Sequence, residues 1–173
     1  MARYFVVRHF GGVYADMDFE ALRPLDELLA GRSLVFGLEP DSHMARPTVR
    51  DRGFSRIVCN ALFASEARHP FWDHLFAMLP GARGEENILD ATGPFLLTRA
   101  CDSYEKPETI SLVPARLLYP IDNYGQEAPS SEADERPYAV HHWHGTWWRE
   151  AVVLNARNRI LARRSASPTG AAE

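Results

Sequence analysis

The chain has 173 residues, 46% of them hydrophobic and 24% charged, with a formal net charge of −4. That length suits one domain with a real core, and the acidic balance excludes a generally basic nucleic-acid-binding surface. The two cysteines, Cys59 and Cys101, make neither a CxxC pair nor a disulfide framework, so core packing in a reducing compartment is expected of them. No apolar run reaches the length of a membrane-spanning helix. The early charges Arg3, Arg8 and His9 do not suit a signal peptide, so a cytoplasmic location with at most a peripheral membrane contact is expected.

In chain order, residues 2–10 read as a helix stopped by Gly11-Gly12. Residues 13–15 are a short β-type run that ends at Asp16 and Asp18. Residues 19–23 read as a turn, and Pro24 opens a short helix through Leu29 that Gly31 ends. Residues 33–39 read as a strand and residues 41–53, rich in Arg and Pro, as a loop. Residues 54–65 carry apolar side chains at helical intervals and read as a helix containing Asn60. Another helix starts at Pro70 and closes at Pro80-Gly81, followed by a charged loop over residues 81–87. Thr92-Gly93-Pro94 makes a turn into a short helix over residues 94–101. Residues 110–113 and 116–119 are strand-like, residues 125–136 form a polar insert expected to be mobile, and residues 138–143 read as a strand. Residues 147–164 read as a helix with a basic end, and residues 165–173 as a disordered tail. Strands interleaved with helices predict an α/β layer fold, whose ligands sit beyond the carboxyl ends of strands.

Two constellations carry chemistry. Asp16 and Asp18 are separated by one residue, so in an extended segment both carboxylates face one side. Two hard oxygen ligands with open positions suit Mg²⁺ or Mn²⁺ shared with a phosphate. The competing reading is a solvated turn, because D-x-D arises often by chance. The second constellation is His141-His142-Trp143-His144, followed by Trp147 and Trp148. Imidazoles are common ligands for first-row metals, while the competing reading is an aromatic strand with satisfied histidines. No cysteine or H-E-x-x-H stands nearby to complete a metal set, so the missing ligand would come from elsewhere, the Asp pair being the obvious source. Between the two lies Asp90-Ala91-Thr92-Gly93-Pro94. Gly93 allows close backbone approach and Pro94 starts a helix whose N-terminus can face an anion; an ordinary helix-entry turn is the alternative. For Asn60 a structural hydrogen bond is the default.

Read in order, these motifs resemble glycosyltransferase family 32, the glycosyltransferases with a DXD sugar-binding region. The matching residues are Arg3, Tyr4, Gly11, Gly12, Tyr14, Asp16 and Asp18; then Arg23-Pro24-Leu25-Asp26 with Leu28 and Leu29; then Asn60, Ala61 and Ala64; His69-Pro70-Phe71; Thr92-Gly93-Pro94; and His141, Trp143, Thr146 and Trp147. The resemblance implies a GT-A-like, Rossmann-type α/β fold and a retaining, metal-dependent transfer of a hexose. It implies a UDP- or GDP-hexose donor, Mn²⁺ or Mg²⁺, and a hydroxyl acceptor on a glycan, lipid or protein. Asp16 and Asp18 would be the catalytic carboxylates and, with His141, the metal ligands. Arg3, Tyr14, Asp16, Thr146 and Trp147 would line the nucleotide and cation, and Asn60, Asp90, Thr92, Gly93 and Pro94 the substrate. The family pattern also has an aspartate three residues ahead of its arginine, which here would precede Met1. Residues 1–164 are therefore expected to form a partial, N-terminally truncated GT-A domain lacking its first strands. The alternative is an inactive remnant that binds metal or a partner without turnover. A further one is an unrelated Asp/His metal hydrolase, in which His142 or His144 would matter as much as His141.

Overall fold

Alternating helices and strands run through the computed structural model, which describes residues 1–127 and 136–144. In chain order they are α1 (Ala2–Phe10), β1 (Gly12–Ala15), β2 (Phe19–Ala21), α2 (Asp26–Leu29), β3 (Leu34–Leu38), a 3₁₀ turn (Asp41–Ala45), α3 (Pro47–Arg50), β4 (Val58–Ser65), α4 (Phe71–Ala82), α5 (Ile88–Ala91), α6 (Pro94–Ser103), a second 3₁₀ turn (Pro107–Thr109), β5 (Ser111–Val113), α7 (Ala115–Leu118) and β6 (Ala139–His141). The expected 147–164 helix, the 165–173 tail, most of the 125–136 insert, and both Thr146 and Trp147 lie outside the described residues.

The α/β class is found, as a mixed sheet. Its order is β1-β4-β3-β5, with β4 antiparallel to both β1 and β3, and β5 parallel to β3. It follows that β1, β3 and β5 all run one way and deliver their carboxyl ends to the same edge. A separate antiparallel ladder joins β2 to β6, with Phe19 opposite His141. The core is an aromatic cluster of Tyr4 from α1, Phe36 and Phe63 from the sheet, and Phe71 and Trp72 from α4, packed with Leu34, Leu75 and Leu97. Tyr4 stacks on Trp72 at 5.7 Å, and Phe63 packs against both. Cys59 and Cys101 are free thiols buried in this interior. Among the described residues no helix is long and apolar enough to cross a membrane.

Several expectations need correction. Residues 54–65 are not a helix: the segment delivers β4, an inner strand of the sheet, buried along nearly its whole length. A strand covered on both faces loses the alternation that marks a half-exposed one, so its apolar run imitates a buried helix. Residues 19–23, read as a turn, hold β2, because Phe19 finds its ladder partner more than a hundred residues away. The 41–53 loop contains a 3₁₀ turn and α3, the latter opened by Pro47 in the first helical turn. Residues 116–119 are helical, following Pro114. Helix α4 runs past its expected stop at Pro80, with Arg83 N–H closing the end on the Pro80 carbonyl. The last strand stops at His141, and Trp143 beyond it takes a φ of 52°.

The Gly11 stop has two physical requirements behind it. Its φ is 71°, a left-handed conformation, and a Cβ there would lie 2.8 Å from the Ala67 amide nitrogen. Only glycine lets the chain turn against the end of β4 and enter β1.

Candidate metal centre

Strand pairing sets the first carboxylate. Asp16 is the first residue past β1, and its N–H continues the ladder by donating to the Ala61 carbonyl at 2.8 Å. After one more residue the chain folds over, so that Asp18 leads into β2. The Asp18 carbonyl accepts from the His142 N–H at 2.9 Å, locking that turn to the end of β6. His141 therefore arrives from 123 residues away with Nε2 3.1 Å from Asp18 Oδ1. Asp16, Asp18 and His141 each offer one ligand atom, and these three atoms lie within 4.8 Å of one another. His142 and His144 are exposed, and His142 points Nε2 at Glu20 Oε2 at 3.2 Å. The structure thus brings one histidine to the aspartates, the one whose strand register puts it opposite Phe19.

The imidazole is held by rings. Phe19 stacks on His141 at 4.6 Å, and Tyr119 meets it edge-on at 5.9 Å. Tyr119 is fixed in turn: its ring lies where a Cβ on Gly37 would be, 2.5 Å from Cε2, and its hydroxyl accepts from the Leu62 N–H at 3.1 Å. Burial pulls the His141 imidazole below the ordinary histidine value, and Asp18 opposes this without reversing it. A neutral imidazole with a lone pair to give is what a metal requires.

Asp16 is oriented by two donors. The Tyr14 hydroxyl donates to its Oδ1 at 2.5 Å, and Arg3 reaches the same oxygen at 3.0 Å. Both bonds fall on Oδ1 and leave Oδ2 without a partner among the described residues. Burial and the neighbouring carboxylate push the Tyr14 hydroxyl up to about 12, so it stays a donor at neutral pH. Arg3 also lies over the Tyr14 ring at 4.7 Å and donates to the Asn60 carbonyl at 2.8 Å. Among the described residues the cluster brings together two carboxylates, one guanidinium and an imidazole whose burial favours its neutral form. The donor set of two carboxylates and one imidazole fits Mn²⁺ and tolerates Mg²⁺.

The remaining sequence candidates make their own bonds. Asn60 stands on β4 and donates through Nδ2 to the Tyr4 hydroxyl at 2.9 Å; Tyr4 passes the bond on to the Thr92 carbonyl at 3.1 Å. This chain ties α1, β4 and the Thr92 turn together. Asp90 is buried against Arg52 and Arg99, each bonded to its carboxylate. Burial pushes its carboxyl upward, but the two guanidinium groups together overcome that and hold it below the usual carboxylate range. A Cβ on Gly93 would meet the Leu89 Cα at 2.6 Å, so glycine there permits the close join between α5 and α6. Pro94 is the first residue of α6 and is buried.

Sequence reasoning missed Phe19 and Tyr119, which hold His141, and a polar cluster around Glu39, His43, Asp122 and Asn123. Glu39 bonds His43 at 2.7 Å, and Ser42 bonds Asp122 at 2.5 Å. The two halves of that cluster, residues 39–43 and 122–123, lie about eighty residues apart in sequence, so spacing gave no sign of their meeting. The position of Glu39 just past the carboxyl end of β3 did offer one.

Comparison with known proteins gives this arrangement a context. Residues 1–35 match the family model described as "Glycosyltransferase sugar-binding region containing DXD motif". The chain is similar to Inositol phosphoceramide mannosyltransferase 1 of Schizosaccharomyces pombe, 34% identical over 70 residues that make 40% of this chain and 18% of the relative. It is similar to Mannosyl phosphorylinositol ceramide synthase CSH1 of Saccharomyces cerevisiae, 26% identical over 126 residues, 69% of this chain and 30% of the relative. It is also similar to Uncharacterized glycosyltransferase L373 of Acanthamoeba polyphaga mimivirus, 25% identical over 130 residues, 73% of this chain and 47% of the relative. The match thus spans less than half the length of each of these curated relatives.

Proposed function

We propose, from the DXD family model matched by residues 1–35 and the similarity to three glycosyltransferase relatives, that this glycosyltransferase family 32-like chain serves transfer of a hexose from a nucleotide sugar to a hydroxyl acceptor. The observation that carries this reading is the meeting of Asp16, Asp18 and His141 within 4.8 Å. These are the two DXD carboxylates and a histidine that only folding brings to them.

In this reading Asp16, Asp18 and His141 hold a divalent cation, Mn²⁺ or Mg²⁺. Such a cation, when bound, offsets charge on a diphosphate and eases its departure from the sugar. The chain's own residues do the rest. Tyr14 and Arg3 fix Asp16 through one oxygen and leave its second for a ligand. Phe19 and Tyr119 fix the His141 ring and keep water from its faces. The two converging carboxylates favour a cation over an anion, so in this reading the metal binds before the anionic donor.

The finer features are proposals as well. The mixed sheet is compatible with a GT-A-like arrangement, in which the carboxyl ends of β1 and β3 face the donor. Retention of anomeric configuration follows the family resemblance. The names of two relatives point to mannose as the transferred sugar and a phosphoinositol ceramide headgroup as acceptor. A UDP- or GDP-hexose is the donor class, and the acceptor is a lipid, glycan or protein hydroxyl.

The test is a calorimetric titration of the full chain with Mn²⁺, then product analysis with GDP-mannose and UDP-glucose. One bound Mn²⁺ and metal-dependent release of nucleoside diphosphate are expected. Bound Mn²⁺ with no release from either donor would favour a metal-binding protein without turnover. No Mn²⁺ binding would remove the reading altogether.

A further inference from the structure

Beyond the cation ligands, a second carboxylate stands at the same edge of the sheet. Strands β1 and β3 run the same way on either side of β4. Asp16, past the end of β1, donates its N–H to Ala61; Glu39, past the end of β3, donates its N–H to Ile57 at 2.9 Å. Both residues therefore leave the sheet alongside the amino-terminal half of β4, on strands two spacings apart, or about 10 Å across the sheet. A diphosphate joined to a sugar spans that distance.

The Glu39 side chain is held rather than loose. It is only 9% exposed, and its Oε2 is bonded at 2.7 Å to Nδ1 of His43, a fully buried histidine. The other His43 nitrogen meets Asn123 Oδ1 at 3.1 Å. Glu39 Oε1 has no partner among the described residues. The Glu39 charge is felt at His141, at Tyr119 and at Cys59, where the charge of Asp16 is felt too.

We propose that Glu39, set by His43, is a sugar-binding residue that accepts hydrogen bonds from hydroxyls of the transferred hexose through Oε1. A carboxylate fixed by one oxygen and open at the other suits a neutral polyol, because it accepts a hydroxyl proton without any rearrangement. The inference rests on the glycosyl-transfer reading above.

The experiment compares binding of a nucleotide sugar with binding of the sugarless nucleotide. The full chain in Mn²⁺ is titrated with GDP and GDP-mannose, and with UDP and UDP-glucose, and the pair that binds is carried forward. Glu39→Gln keeps a hydrogen bond to His43 and Glu39→Ala removes it. Both are expected to weaken nucleotide-sugar binding by about ten- to a hundredfold, the loss of a charge-assisted hydrogen bond, with sugarless nucleotide and Mn²⁺ affinity within twofold. A loss shared equally by both ligands in Glu39→Gln marks a structural role and overturns the proposal. So does unchanged donor binding, whatever happens to transfer onto an acceptor. If the unsubstituted chain binds neither pair, the glycosyl-transfer reading fails first and takes this one with it.

Discussion

Asp18 and Asp90 are both mostly buried aspartates in segments that the sequence marks out, yet their surroundings differ in kind. Asp90 meets two arginines, Arg52 with both carboxylate oxygens in reach and Arg99 with a second bond to the Asp90 carbonyl. Its charge is matched and its lone pairs are used. Among the described residues Asp18 meets the His141 imidazole and stands close to a second carboxylate, which Arg3 contacts. Buried carboxylates are costly unless paired. Where the pairing is complete the group serves the fold; the Asp18 cluster, whose ligand atoms converge, is the one proposed above as a cation site.

The largest effect that would break this contrast is on metal affinity. Asp18→Asn and His141→Ala should each lower Mn²⁺ affinity by more than about a hundredfold, beyond the loss typical of groups that only orient a ligand. Thermal unfolding without metal should change little in Asp18→Asn, because removing one of two neighbouring negative charges relieves repulsion. Electron paramagnetic resonance of bound Mn²⁺ reads the affinity directly. An unchanged affinity would show that the three side chains are merely neighbours.

Removing the Asp90 carboxylate should do the opposite. Asp90→Ala leaves two arginines facing each other without their counter-charge, and about 3 kcal/mol of folding stability should be lost. That is the low end for such pairs, because Arg52 and Arg99 remain partly in water. Mn²⁺ affinity should stay within twofold. Acid makes the distinction sharper. The folded-state carboxyl of Asp90 titrates below its unfolded value, so its contribution is fully present above about pH 4 and disappears as pH falls through the folded value. Urea denaturation should therefore show a stability gap between the parent and Asp90→Asn that is constant from pH 7 to 5 and closes in stronger acid. A gap that widened on acidification would mean that the arginines do not hold the charge.

The two regions were unequally legible in the sequence. Helix α1, its Gly11 stop, β3, and the pairing of Asp16 with Asp18 follow from local patterns, because each depends on residues within a few positions. The ladder of Phe19 with His141 and the pairing of Glu39 with Asn123 through His43 do not, since no local pattern encodes a contact a hundred residues away. The helix expected at residues 54–65 failed for a related reason. Burial on both faces is a tertiary fact, and it erases the alternation on which a strand assignment depends. Family resemblance singled out His141 where spacing alone left three histidines open, and the strand register is what sets that histidine beside the aspartates.

The smallest effect tests how the metal side is held. Tyr14 touches no proposed ligand to the cation other than Asp16, and it stays protonated at neutral pH. Tyr14→Phe keeps the ring that stacks on Phe63 at 5.3 Å and lies beneath Arg3, so only the hydroxyl is lost. Asp16 would then be steered by Arg3 alone. Mn²⁺ affinity should fall by about tenfold, the lower range for a group that orients a metal ligand, while stability changes by no more than about 1 kcal/mol, the net worth of one hydrogen bond. Arg3→Gln tests the other donor, and with Tyr14→Phe it completes a double-mutant cycle. If Tyr14 and Arg3 act on Asp16 as one unit, their losses in Mn²⁺ affinity will not add, because the second removal acts on a carboxylate already unfixed. Additive losses would mean that the Arg3 charge acts on the cluster as a whole and that only the tyrosine orients the aspartate.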